Sequence, residues 1–320
     1  MRHISYKYKK FWYFIIKLSL VFGVGYFIYQ RVFENSKLPI TALLKQTKAN
    51  LLQENWVIPV LLVFTLINWL LEITKWQTLV NSLENISFLT ATKQSLASHI
   101  LSIITPFKSG EYVGKSLYFS KGKRKKIFLL NLIGNLVQLL ATTVFGITGL
   151  VFFFTYFDIP IQLYKLRRFA YIVALLIAAV FMGRNGINLN KKGGYYEKAF
   201  IFLKEITVKT KLKVTLLSFL RYLVFSHQFY FLLLLFGIEI DYFTALFLIF
   251  SMYFIATMLP VISLFDFVIK GGIGIYLFTF VGVGEVAILT ISMLMWLLNF
   301  VLPAIIGVYF VIVYKPNLEK

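Results

Sequence analysis

Apolar residues run through this chain in long, nearly unbroken stretches, separated by short charged segments. Six of the stretches predict full crossings of a bilayer: roughly 11–30, 56–80, 127–156, 169–183, 213–236 and 286–314. A hydrocarbon core about 30 Å thick takes about 20 residues of helix, so the fourth is short, while the third and sixth leave room for tilt or a break. The runs are continuous rather than alternating, which argues against the strands of a membrane barrel. Two further regions, 88–119 and 243–281, are apolar but interrupted near their middles by Pro, Gly and a charged pair. The pattern therefore predicts an all-α integral membrane protein with about six full transmembrane helices plus two re-entrant hairpins.

The interrupted regions resemble each other. Glu111-Tyr112-Val113-Gly114-Lys115-Ser116 matches Asp266-Phe267-Val268-Ile269-Lys270-Gly271 as acid, aromatic, Val, any residue, Lys, small residue. Pro106 precedes the first acid by five positions and Pro260 precedes the second by six. The distribution of charge threads them through the membrane. Residues 1–10 carry four basic and no acidic side chains, 121–126 carry five basic ones, and 184–213 carry eight basic against two acidic. Residues 237–241 and 282–285 are acidic. Basic loops stay in the cytoplasm, which puts both termini there. Hairpin 88–119 then dips from the cytoplasmic face and 243–281 from the external face, an inverted repeat. This threading leaves Lys165, Arg167 and Arg168 outside.

The organisation expected is one polytopic membrane domain over 1–320. Residues 1–55 hold an N-terminal span and an interfacial helix, 56–156 the first half and 169–314 the second. The basic start followed by an apolar stretch reads as an uncleaved first span rather than a signal peptide. Near-helical spacing of Ile40, Leu43, Leu44, Leu51 and Leu52, and of Tyr196, Ala199, Phe200 and Leu203, predicts two helices lying in the interface.

Composition agrees. With 59% hydrophobic and only 14% charged residues, the chain lacks the polar surface of a soluble domain. The net charge of +20 orients spans and meets anionic lipid headgroups, not nucleic acid. No cysteine is present, so thiolate chemistry is excluded. Three scattered histidines do not make a metal site, and no cofactor fingerprint surrounds the short glycine runs.

Charged side chains at bilayer depth cost on the order of 2.5–3.5 kcal/mol each on insertion scales, so they mark function by default. The candidates are Lys108, Glu111, Lys115, Arg221, Asp266 and Lys270. Each acid–Lys pair also reads as an i,i+4 ion pair that merely neutralises itself. Non-helical backbone at membrane depth needs protein or water around it, so interrupted hairpins with charges predict a hydrated central cavity. Asn131, Asn135, Gln138 and Thr142 recur at i, i+4, i+7 and i+11, a polar stripe suited to lining that cavity or to joining helices. Arg221 stands seven residues before Gln228, beside His227, and its permanent charge suits a phosphate oxygen. Ser292, Asn299 and Pro303 form a weaker echo in the last span.

At "ITPFKSGEYVGKSLYF" the chain resembles the flippase-type membrane region of the lysylphosphatidylglycerol synthases, also found as stand-alone membrane proteins. Pro106, Gly110, Glu111 and Lys115 carry the match in the first half. Pro260, Gly271, Gly272, Gly274 and "FTFVGVG" carry it in the second, where Ile275-Tyr276 stand in place of the family's Arg-Glu step. The synthase domain of the two-part proteins has no counterpart here, so no enzymatic activity is expected. The resemblance implies a lipid flippase of the bacterial cytoplasmic membrane, moving a phosphate-containing headgroup of a phospholipid or lipid-linked substrate between leaflets. A lipid-modifying enzyme is an expected partner. Lys108, Lys115, Lys270 and Arg221 would neutralise the phosphate. Glu111 and Asp266 would hold those cations or accept a cationic headgroup, and Asn131, Asn135 and Gln138 would hydrogen-bond the moving head. An intramembrane enzyme, a small-solute or ion transporter and a non-catalytic scaffold are the alternatives.

Overall fold

The structure is a computed structural model that describes residues 55–103, 105, 109–157, 201–202, 204–258 and 266–313. All its regular elements are helical. They are α1 (Val57–Val80), α2 (Phe88–Ile103), α3 (Ser109–Ser116), α4 (Arg124–Tyr156), α5 (Val208–Leu235), α6 (Tyr242–Thr257), α7 (Asp266–Thr279), α8 (Glu285–Trp296) and α9 (Leu302–Val313). A π-helical segment, Leu297–Val301, joins α8 to α9 into one continuous helix. Among the described residues, four helices are long and apolar enough to cross a membrane: α1, α4, α5 and the joined α8–α9. They correspond to four of the six spans expected. The spans at 11–30 and 169–183, Lys108 and the proposed interfacial helix near residues 40–52 lie outside the described residues.

The two interrupted regions are each a pair of helices. Proline has no N–H to donate and crowds the residue before it, so a helix rarely continues through it. Around Pro106, Thr105 links the two arms. Its Oγ1 donates to the Leu101 carbonyl at 2.9 Å and accepts the Gly110 N–H at 2.8 Å. In the second region, α6 starts at an N-cap, where the Asp241 carboxylate accepts the Thr244 N–H at 3.0 Å.

Among the described residues, the order long helix, helix pair, long helix thus occurs twice, and the packing partners correspond between the two occurrences. The leading long helices, α1 and α5, pack on each other. The closing helix of each half packs on the first arm of the other half's broken pair, α4 on α6 and α9 on α2. Between apolar helices in lipid, close van der Waals fit rather than hydrophobic burial drives association, and glycine permits it. A Cβ at Gly149 of α4 would stand 2.5 Å from the Phe247 carbonyl of α6, and one at Gly307 of α9 would press on the Leu96 carbonyl of α2.

The inner ends of the broken pairs meet. Ile100 and Ile103 at the end of α2 share an apolar cluster with Phe267 at the start of α7 and with Trp296 and Phe300. The outer ends differ in chemistry. At one end of the bundle Lys123 pairs with Glu84 at 2.6 Å, Arg124 donates to the Phe119 carbonyl, and Lys126 stands over the Phe202 ring. At the other end, Trp56 packs near Phe231, Tyr230 near Tyr242 and Phe153 near Phe280, beside the acidic residues Glu239, Asp241 and Glu285. Phe202 and Ile206 are buried against the basic end while Ile201 faces out. The register expected there, Tyr196, Ala199, Phe200 and Leu203, lies outside the described residues.

Candidate functional site

One face of α1 carries the site. Leu61, Thr65, Asn68, Glu72 and Lys75 follow one another at steps of three or four residues, which stacks them along a single stripe. All five are buried. The stripe faces α5, from which Arg221 and Gln228, two turns apart, reach across.

Glu72 is the centre of charge. Its Oε2 lies 2.6 Å from Lys75 Nζ and 2.6 Å from Arg221 Nη1. The guanidinium also donates through Nε to Asn68 Oδ1 at 3.0 Å. Asn68 Nδ2 in turn donates to Asn299 Oδ1 at 2.8 Å, and Asn299 Nδ2 to Gln228 Oε1 at 2.8 Å. Gln228 closes the chain by donating to Thr65 Oγ1 and to the Leu61 carbonyl. Each amide has its acceptor oxygen occupied, as burial requires.

Asn299 belongs to the π segment, and Pro303 explains why that segment exists. Proline lacks the N–H that would bond the carbonyl four residues earlier, and its ring crowds that carbonyl. The carbonyl in question is that of Asn299, and Trp69 Nε1 donates to it at 3.2 Å. The next carbonyl, Phe300, lies 3.1 Å from His99 Nε2, so that ring nitrogen carries the proton.

Lys115 enters the same region from α3. It is fully buried, 1% exposed, and paired with Glu111. It donates to Asn131 Oδ1 at 2.8 Å and stands 4.2 Å from the centre of the Trp76 ring. Trp76 is itself fixed by donating to Gln94 Oε1 at 2.8 Å. Lys115 lies within electrostatic reach of both Glu72 and Lys75. Three cations (Lys75, Lys115, Arg221) and two carboxylates (Glu72, Glu111) thus form two neighbouring ion-pair clusters within electrostatic reach of each other, with Glu72, Lys75 and Lys115 buried and Arg221 and Glu111 partly exposed.

Among the residues the sequence singled out, Glu111, Lys115, Asn131 and Arg221 come together here. The rest of the α4 stripe joins helices. Asn135 donates to the Tyr112 hydroxyl at 2.9 Å and Gln138 to the Ser218 carbonyl at 3.3 Å. Asp266 and Lys270 pair with each other at 2.6 Å in different surroundings. Their side chains are 41% and 28% exposed, and Lys270 stands 5.0 Å from the Tyr253 ring centre. Glu72, Lys75 and Asn68 were not anticipated. Their signal was available in "NWLLEITKWQ": an acid and a Lys three residues apart inside a run otherwise long and apolar enough to cross.

Helices of membrane-crossing length that enclose neighbouring ion-pair clusters define a polytopic membrane protein with a polar core. The chain belongs to the family described as the lysylphosphatidylglycerol synthase TM region, which it matches over residues 14–307. No curated protein and no solved structure gives a significant match.

Proposed function

We propose that this protein is a lipid flippase: it carries a phosphate-bearing lipid headgroup between the leaflets of a cytoplasmic membrane, chemically unchanged. The ionic network of the two neighbouring clusters, Glu72, Lys75 and Arg221 with Glu111 and Lys115, is the observation that carries the proposal. Such groups are expensive in hydrocarbon, and their retention there marks a polar substrate's path. Membership of a lipid-synthase membrane family points that substrate towards lipid.

The broken helix pairs support the same reading. The α2–α3 pair starts and ends near Glu84, Phe119 and Lys123, and the α6–α7 pair near Tyr242 and Phe280. We take them as re-entrant hairpins entering from opposite faces, the two halves forming an inverted repeat with the basic end in the cytoplasm. Their inner ends meet at Ile103, Phe267 and Trp296, so a shift of one pair is felt by the other.

The test is transfer of an acyl-labelled phospholipid in vesicles, read by quenching of the outer-leaflet label. The expected result is quenching beyond the outer half with protein present. A paired Glu111→Gln/Lys115→Met variant, which leaves neither partner charged and buried alone, is expected to slow transfer at least about tenfold, the loss of one or two charge-assisted hydrogen bonds. Transfer no faster than in empty vesicles, solute uptake without lipid movement, or a wild-type rate in the folded variant contradicts the proposal.

A further inference from the structure

We infer that the headgroup this network accepts is a net-negative phosphodiester without an amine. The inference rests on the flippase proposal and specifies its substrate class. It follows from which groups in the network are already satisfied and which are not.

Both carboxylates already carry cationic partners. Glu72 is held by Lys75 and Arg221, and Glu111 by Lys115. The partly exposed Asp266 is likewise matched by Lys270. The amide oxygens of Asn68, Asn131, Gln228 and Asn299 each accept a hydrogen bond from within the protein. A headgroup ammonium would therefore enter as a further cation beside carboxylates that already carry cationic partners. Gln138 Oε1 is open but neutral, and lies two turns along α4 from Asn131.

The open positions in the network are donors. Asn131 Nδ2 is buried with no acceptor, and Lys75 Nζ has none beyond its ion pair with Glu72, among the described residues. These two donors are brought side by side. The Lys75 ε-carbon lies 3.8 Å from where a Cβ on Gly134 would stand, and Asn131 precedes Gly134 by less than one turn on α4. Among the described residues the charge count has the same sign, three cations against two carboxylates. Unused donors and one cation in excess among the described residues call for an oxygen anion of single charge, which a phosphodiester supplies.

The experiment uses wild-type protein in vesicles with four acyl-labelled lipids of identical chains: phosphatidylglycerol, phosphatidylcholine, phosphatidylethanolamine and lysylphosphatidylglycerol. Phosphatidylglycerol is expected to transfer at least about tenfold faster than the other three, the worth of one charge-assisted hydrogen bond. A Lys75→Met variant, which removes the excess cation, should bring the ratios towards unity. Equal wild-type rates, or faster transfer of any amine-bearing lipid, overturn the inference and leave the flippase proposal standing. Transfer of none of the four overturns both.

Discussion

Glu72 holds two cations with one carboxylate oxygen, so the two sides of that contact are not equivalent under mutation. Removing the carboxylate strands Lys75 and Arg221 in a buried site, and breaking such a pair from one side costs about 3–5 kcal/mol. We therefore expect Glu72→Ala to lower the melting temperature of detergent-purified protein far more than Glu84→Ala, which opens only the half-exposed pair with Lys123. Equal shifts would show that Glu72 is better solvated than its surroundings indicate. Trp69 offers a finer test. Trp69→Phe keeps the aromatic bulk but leaves the Asn299 carbonyl without its donor, where Pro303 supplies no replacement. A buried carbonyl left open costs roughly 1–3 kcal/mol, and Pro303→Ala in the same background should recover part of it. No recovery would mean that the indole N–H contributes little to holding the π segment.

Among the elements, the long helices were legible because length and unbroken hydropathy suffice to declare a span, and all four expected within the described residues are present. The interruption of 88–119 was legible for a local reason too, since Pro106 forbids a continuous helix. The polar stripe on α1 escaped notice because averaging over 24 apolar-rich residues absorbs one acid and one Lys. The partners were beyond reach for a different reason. Arg221 and Glu72 are 149 positions apart, and Asn68 and Asn299 are 231 apart, and no periodicity within a helix says which distant helix faces it. The glycine contacts give the element-scale prediction. Gly149→Ala and Gly307→Ala each force a Cβ against a backbone carbonyl, so each should destabilise by about 1–3 kcal/mol through overpacking. Similar losses at both sites, measured by thermal unfolding, would fit their equivalent roles in the two halves; a neutral Gly307→Ala would not. At the start of α6, the Thr244 N–H holds the Asp241 carboxyl below the usual carboxylate range. A depressed value stabilises the fold above that range and is lost as pH falls through it. Asp241→Asn keeps a cap that does not titrate, and should flatten that acid limb of the stability profile.

For the whole molecule, charge sorts the helix ends into a basic end at Lys121–Lys126 and an acidic, aromatic end at Glu239, Asp241 and Glu285. Because the natural chain contains no cysteine, single-cysteine variants report topology without background. In intact cells, Glu239→Cys should react with an impermeant thiol reagent and Gly122→Cys should not; the opposite pattern would invert the orientation proposed here. The inner meeting point of the two broken pairs lies beside the π segment, and Asn299 links that segment to Arg221 through Asn68. The ionic network is therefore physically continuous with the parts that would have to move. Its occupation by a headgroup is the central claim, and native mass spectrometry of the purified protein addresses it without relying on turnover. The wild type should retain a bound anionic phospholipid that a Glu111→Gln/Lys115→Met variant of matched thermal stability has lost. Equal lipid occupancy in the two proteins would contradict the claim.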